Sequence, residues 1–575
     1  MVTVLATLNL EGPMLHLAVV NPVRLRGVPF GGQANSLPFQ AEPGFKDHIF
    51  DLPLPTPVLA ASLYSMLDGY NQVLRHTLCS GFSFGFDIGY RGSPNSSLRV
   101  KNLLSCEDFP DIVDRSLEKE ISAGRMIGPL AVLPFQDFQL NPIGLVPKKA
   151  RGEFRMITNL SSPKGSSVND GILEDFVHVS YASVEDAVRL ICQCGPSPFL
   201  AKLDIKHAFR IIPIRPSQYH LLCVKWKDQF FVDRCLPMGA RSSSHIFEMF
   251  SSAIHFLAKK VGIRWLVHYL DDFLLICHSE AGCAEYMNLF TGLLRKLGVP
   301  LALEKTLGPT QCLEFLGYLL DILKGEIRLP EDKLQKCKDQ IKALLSLKRC
   351  KVHRIQSLAG LLQFACGVIV PGRAFLVRLY NLIRGRSNPH FSVHISKEVK
   401  KDLLVWLSFL EQFNGVSLYR EQLFLSPKVQ HIYTDASKIG CGGVLGSKWF
   451  SVEWPSSWWS SQNITFLELI PIFLALKAWG PLLKDIYIIF HTDNLALSFC
   501  INKKTSKEPL VMEVIRKIVF IELSLNIMSR AKHIPGFLNN LSDALSRLQV
   551  PQFKHLHPEA DAQPTATLPL QDFNL

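Results

Sequence analysis

Short apolar runs alternate with longer amphipathic stretches through residues 140–320, and a second pattern of the same kind opens near residue 429. The runs, rich in Val, Ile, Leu and Phe, read as strands and the longer stretches as helices, a mixture that predicts an α/β or α+β fold. Upstream, SLEKEISAGRMI (116–127) sets Leu117, Ile121 and Met126 against acidic and polar neighbours, which predicts an amphipathic helix. The clearest helix is 330–346. Pro330 stands at its start, Glu331 and Asp332 lie in the first turn where the helix dipole favours anions, and Leu334, Cys337, Ile341 and Leu344 form one apolar stripe. Lys333, Lys336 and Lys342 lie on its other face, and a second helix is expected at 354–370, after a basic turn. Residues 1–60 contain several prolines and little periodicity, which predicts an irregular leader.

Composition narrows this picture. With 575 residues, 47% hydrophobic and 19% charged, the chain is long and apolar enough for three to five packed domains. Lys plus Arg number 62 against 50 Asp plus Glu, a formal +12 that suits a polyanionic partner. No stretch reaches eighteen uninterrupted apolar residues and the N-terminal segment lacks a basic region, so neither a membrane span nor a signal peptide is expected, and the expected location is intracellular, cytoplasm or nucleus. The fourteen cysteines are scattered without a C-x2-C pair, which supports neither a zinc site nor a disulfide framework.

Candidate chemistry lies in the acids. In RWLVHYLDDFLLIC (264–277), Asp271 and Asp272 stand between two β-prone runs, as carboxylates at the tip of a hairpin. Adjacent charges in so apolar a setting call for a cation, and a divalent metal is the economical answer; an exposed Asp-Asp turn is the plain alternative. FLAKLDIKHAFRIIPI (199–214) ends a strand at Asp204, a third carboxylate for the same set.

Taken in order, Asp204 with Phe209, then LPMGARSSSHIF (236–247), YLDD (269–272) and EKTLGPTQCLEFLGYLL (304–320) resemble the palm motifs of reverse transcriptases, and GLVPKKARGEFRMITNL (144–160) resembles their fingers hairpin. The resemblance implies an RNA template, a DNA primer and dNTPs as partners, with two Mg²⁺ (or Mn²⁺) held by Asp204 and Asp271 and assisted by Asp272. Lys148 and Arg155, on opposite arms of the hairpin, would reach the triphosphate. Phe209 would exclude a ribose 2′-hydroxyl. Pro237, Gly239 and Ser242 to Ser244 would allow close approach to the template and nascent pair, with Met238 where a glutamine is usual. Lys305 would protonate the leaving pyrophosphate, residues 315–318 would form the primer grip, and the helices after 330 would form a thumb on the duplex.

From 429 the text reads VQHIYTDASKIGCGGVLG, TFLELIPIFLALKAW, IYIIFHTDNLAL and AKHIPGFLNNLSDALSR. Asp435 follows a strand, Glu468 opens an apolar helix, Asp493 ends a strand, Asp543 lies in a late helix, and His533 stands ten residues before it. This resembles the ribonuclease H domain of retroelements and implies a second pair of Mg²⁺ ions ~4 Å apart, an RNA/DNA hybrid as substrate, and His533 as a proton shuttle or product-release aid. GCGG (440–443) is expected to form a tight hairpin between the first two strands, and Trp449, Trp454, Trp458 and Trp459 a structural aromatic cluster.

The expected fold is therefore an α+β right-hand polymerase of fingers, palm and thumb, followed by an α/β ribonuclease H-like domain. Expected boundaries are an irregular leader (1–60), a helical extension (61–135), fingers and palm (136–325), thumb and connection (326–425), ribonuclease H (426–550) and a disordered tail (551–575). GFSFGFDIGYRG (81–92) and HIPGFLNNLSDALSR (533–547) look most like DIRS-type elements, which use a tyrosine recombinase; a gypsy-like LTR polyprotein fragment is the runner-up. No protease, zinc-knuckle or recombinase signature occurs, so a separate recombinase or another element-encoded protein is an expected partner. The competing class is a domesticated, inactive nucleic-acid-binding scaffold with the same folds, against which stand all seven acids.

Overall fold

The computed structural model describes residues 52–567, apart from 97–99, 149–151, 413–415, 418–428, 456–462, 485 and 526. Most of the expected leader, and Trp458 and Trp459, lie outside the described residues. The chain divides into two compact units, 1–316 and 317–575.

The first unit begins with helices α1 (Ala60–Met66), α2 (Gln72–Phe84), α3 (Leu104–Asp108) and α4 (Pro110–Ser122) and strand β1 (Met126–Leu130). The helix expected through 127 stops at Ser122 because Gly124 turns the chain at φ 68°, and Met126 belongs to a strand instead. Next come a hairpin of β2 (Ile143–Pro147) and β3 (Phe154–Thr158), helix α5 (Val184–Cys194), β4 (Phe199–Asp204), β5 (Cys223–Trp226), β6 (Gln229–Asp233) and α6 (Ser243–Lys260). The unit closes with β7 (Trp265–Tyr269), β8 (Asp272–Cys277), α7 (Glu280–Leu297), β9 (Leu307–Thr310) and β10 (Cys312–Phe315). A four-stranded sheet in the order β7-β8-β4-β9 carries the candidate acids. Helices cover one face of it: Phe247 and Phe250 of α6 and Phe290 of α7 are buried in one core with Phe273 of β8. Residues 52–59 are tied in as well, through Leu59 N–H donating to the Leu297 carbonyl at 2.9 Å.

The second unit contains β11 (Tyr318–Asp321), β12 (Glu326–Arg328), α8 (Glu331–Leu345), β13 (Arg349–Lys351), α9 (Val352–Ala365), α10 (Val377–Ile383), β14 (Ser392–His394), α11 (Lys397–Gln412) and β15 (Val416–Ser417). In α8 the four residues of the expected stripe, Leu334, Cys337, Ile341 and Leu344, are the buried ones. A mixed five-stranded sheet follows, from β16 (Gln430–Ala436), β17 (Gly440–Leu445), β18 (Lys448–Glu453), β19 (Tyr487–Thr492) and β20 (Met528–His533) in the order β18-β17-β16-β19-β20. The first three strands pair antiparallel, whereas β19 runs parallel to β16 and β20. Helices α12 (Ile464–Trp479), α13 (Leu495–Lys503), α14 (Pro509–Ser524), α15 (Asn540–Ser546) and α16 (Val550–Leu556) complete it. Residues 464–483 are long and apolar enough to cross a membrane by length and composition, and most of that stretch is buried inside the protein.

Two expectations are corrected here. GCGG is not the hairpin turn but strand β17 itself, the turn lying at Ser437–Ile439; its glycines let α15 sit flush on the sheet, since a Cβ at Gly442 would fall 2.3 Å from that of Leu545. The tail expected to be disordered from 551 folds through 567. Phe553 is fully buried, Trp449 Nε1 donates to the Asp561 carbonyl at 2.8 Å, and Thr565 N–H donates to the Trp449 carbonyl at 2.7 Å, so the tail covers the edge strand β18.

A buried ion pair holds α14 to the end of α13: Lys504 Nζ, in left-handed backbone at φ 51°, lies 2.7 Å from both Glu522 carboxylate oxygens. Lys504→Met leaves Glu522 charged and unpaired inside the protein, and is expected to cost about 3–5 kcal/mol, read as a lowered urea midpoint.

Candidate active sites

The chain ends of β4 and β8 bring the first acids together. Asp204 and Asp272 are directly opposed across the β4–β8 ladder. The turn between β7 and β8 is Leu270–Asp271, with Leu270 at φ 52°, so Asp271 stands at the tip while Asp272 begins the return strand opposite Tyr269. The sequence expectation of both acids at the tip is thereby sharpened to one. Burial pushes Asp271 up to about 6, with Asp204 as the second cause. Asp204 is buried and also raised, by desolvation first, even though Lys305 Nζ lies 2.9 Å from each of its oxygens. Lys202 Nζ lies 3.2 Å from Asp272.

Lys305, expected to protonate the leaving pyrophosphate, rests its ammonium on Asp204. The Lys305 side chain is 58% exposed, whereas the Asp204 carboxylate it pairs with is buried. An all-oxygen set of this kind suits a hard divalent ion.

The other residues expected around this site are distributed along its approach. Arg155 is exposed on β3, its Nη1 3.8 Å from the sulfur of the exposed Met238. Lys148 pairs with Glu153 across the same hairpin at 3.0 Å. Phe209 is half-buried and packs on Phe247 with ring centroids 5.1 Å apart. Gly239 has an internal reason to lack a side chain: a Cβ there would fall 2.8 Å from the Thr158 carbonyl oxygen. Ser243 Oγ donates to the Pro237 carbonyl at 2.5 Å, which fixes the turn entering α6.

Beneath the hairpin is a buried chain that the motifs did not signal. The ring nitrogens His255 Nδ1 and His268 Nδ1 are 2.9 Å apart, and His268 Nε2 donates to Glu248 Oε1 at 2.8 Å. His268 also stacks on Phe273, the residue after Asp272, so this chain props the acid-bearing hairpin from below.

The second constellation is tighter. Asp435, Glu468 and Asp493 each offer a carboxylate oxygen, and these all lie within 4.8 Å of one another, the only such trio of potential ligands among the described residues. Asp435 and Asp493 come from the central strand β16 and the end of β19, which the parallel register places side by side. Glu468 reaches them from α12, and its Oε2 is buried without a hydrogen-bond partner. A buried, unpartnered carboxylate oxygen aimed at two further acids fits a divalent cation by charge and donor chemistry. Asp543 stands outside the trio, its Oδ1 accepting from Arg547 Nε at 2.9 Å. His533, at the end of β20, donates from Nε2 to the Asp493 carbonyl at 3.1 Å. Asn539, which sequence reasoning missed, is buried and anchors the segment to β16 by donating to the Thr434 carbonyl at 3.1 Å.

Burial, then Asp435 and Asp493, pushes Glu468 up to about 9, and burial pushes Asp435 to about 6. Both folded values exceed the unfolded one, so the acids' contribution to stability is fully present below the unfolded value and is lost as pH rises through 6 and then 9. A divalent ion taken up by the trio would have to displace the Glu468 proton at pH 7. Mg²⁺ binding is therefore expected to release protons and to tighten as pH rises from 6 towards 9; calorimetric titration in buffers of different protonation enthalpy measures the release.

Residues 146–320 match the family model for reverse transcriptase (RNA-dependent DNA polymerase). The Tf2-3 and Tf2-7 transposon polyproteins of Schizosaccharomyces pombe are each 22% identical to the chain over 427 residues, covering 71% of it and 29% of their own length. The chain thus spans less than a third of the curated relatives it matches. Among solved structures, a foamy viral protease-reverse transcriptase in complex with double-stranded DNA is 15% identical with a TM-score of 0.48, covering 84% of each chain. Another, in complex with an RNA/DNA hybrid, is 14% identical with a TM-score of 0.45, covering 83% of this chain and 63% of that one.

Proposed function

We propose that the chain is an RNA-directed DNA polymerase of a retroelement with a linked ribonuclease H, the first copying RNA into DNA and the second degrading the copied RNA. The observation that carries the polymerase half is the family match over 146–320 together with Asp204, Asp271 and Asp272 converging at adjoining strand ends. The ribonuclease half is supported by the Asp435, Glu468 and Asp493 trio on a mixed five-stranded sheet.

In this reading Asp204 and Asp271 would hold Mg²⁺, which when bound would supply charge neutralisation for the phosphates and a lowered pKa for the attacking hydroxyl. Lys305 pairs with the buried Asp204 carboxylate and would offer a cation to the leaving pyrophosphate. Arg155, exposed on the hairpin, offers a fork of donors to the triphosphate. Phe209, braced by Phe247, forms the wall against a ribose 2′-hydroxyl. At the second site His533, tied to the Asp493 backbone, holds or passes a proton at Nε2.

Within this proposal the segments 81–92 and 533–547 are read as most like DIRS-type elements, a reading under which a separately encoded recombinase would be a partner and the cell interior the location. The test is extension of a DNA primer on an RNA template with Mg²⁺ and dNTPs, followed by the fate of the template strand. Extension with template loss supports both halves, and a chain that does neither is a scaffold.

A further inference from the structure

The turn that follows His533 carries side chains the proposed chemistry does not use. Phe537 is 77% exposed and Leu538 56% exposed, yet the backbone that bears them is firmly held. Ile534 N–H donates to the Thr492 carbonyl at 2.9 Å, Leu538 N–H to Pro535, and Asn539 N–H to Gly536, each at 2.9 Å. With Asn539 fastened to β16 and His533 to Asp493, the turn is fixed at both ends. It also abuts the acids: a Cβ on Gly536 would lie 3.3 Å from Asp493 Oδ2, so the residue before Phe537 passes against the exposed member of the trio. Single exposed hydrophobics are ordinary on a protein surface, but a phenylalanine and a leucine on a clamped turn at the lip of a metal-binding trio are an expense in solubility that packing does not explain. Leu495 and Phe499 of α13, two and six residues past Asp493, are also exposed, so both segments leaving Asp493 and Gly536 present apolar groups to solvent.

We infer that Phe537 is a substrate-binding residue of this site, stacking on a nucleotide next to the phosphate that the trio engages. The inference rests on the ribonuclease reading and deepens it by naming the residue that grips the strand. A phosphodiester at the trio brings its neighbouring sugars and bases within one nucleotide of the turn, and an aromatic face accepts any base, which suits cleavage without sequence preference. The rigid backbone means the ring is presented without an ordering cost at each binding event.

Two readouts test it on the full chain. Hybrid cleavage by Phe537→Ala is expected to show a KM raised about 5- to 150-fold with kcat changed far less, Phe537→Tyr to restore the parent KM, and Phe537→Leu to remain impaired because bulk without a ring does not stack. In chelator, without turnover, ultraviolet irradiation of a bound hybrid bearing 5-iodouracil near the cleavage position is expected to crosslink Phe537 in the parent, mapped by mass spectrometry. If the parent cleaves the hybrid but Phe537→Ala has an unchanged KM and no crosslink maps to the turn, the inference fails while the ribonuclease reading stands. If the parent neither cleaves nor crosslinks any hybrid, both fall together.

Discussion

Asp271→Asn is expected to cut extension of a DNA primer on an RNA template by at least about 10³-fold while leaving cleavage of a preformed RNA/DNA hybrid intact. The size follows from the position. Asp271 is the single acid at the tip of the β7–β8 turn, buried enough to be raised to about 6, and the amide retains its shape but not the charge a divalent ion needs. Because Asp272 is opposed to Asp204 on the neighbouring strand and Lys202 lies beside it, no second carboxylate stands at the tip to substitute. The loss belongs in the chemical step, so it is expected in kcat under saturating dNTP rather than in primer binding.

Glu468→Gln is expected to have an effect of similar size at the other site, abolishing hybrid cleavage and leaving primer extension unchanged. Burial and two neighbouring acids raise Glu468 to about 9, so at pH 7 the metal-free side chain is already a neutral carboxylic acid, and glutamine mimics it closely. The variant should therefore melt at or above the parent temperature in chelator. What it loses is the capacity to become a carboxylate when Mg²⁺ arrives, so the share of the parent's Mg²⁺ stabilisation and proton release that this trio supplies should disappear, leaving only the share of the Asp204–Asp271 site. A variant whose gain in stability from Mg²⁺ equals the parent's would show that this trio does not hold the ion.

The two sites were legible in the sequence to different depths, for physical reasons. Asp204, Asp271, Asp435, Glu468 and Asp493 announce themselves because a charge at the end of an apolar run is costly and therefore informative. The stripe of α8 was readable because its apolar period is that of an isolated amphipathic helix against one core. What was hidden depends on contacts between distant segments. Nothing near Lys305 indicates that it pairs with an acid 101 residues away, and the His255–His268–Glu248 chain joins a helix to a strand through side chains that each look ordinary alone. The glycines of β17 resembled a turn because their purpose, room for α15, is supplied from a hundred residues downstream. The tail after 550 reads as polar and proline-bearing, yet the backbone hydrogen bonds and buried Phe553 that fix it are satisfied only once β18 exists. Asn539, between His533 and Asp543, carries no signal of its own because its role, a hydrogen bond to the Thr434 carbonyl, is supplied from a strand 105 residues upstream.

The measurement that bears most directly on this account is a single time course: a labelled DNA primer annealed to a differently labelled RNA template, with dNTPs and Mg²⁺, run for the parent chain, Asp271→Asn and Glu468→Gln. The account requires the parent to extend the primer and then cut the template, Asp271→Asn to leave the primer unextended, and Glu468→Gln to yield full-length DNA on an intact template. Equal extension by the parent and Asp271→Asn, or equal template cleavage by the parent and Glu468→Gln, would contradict it.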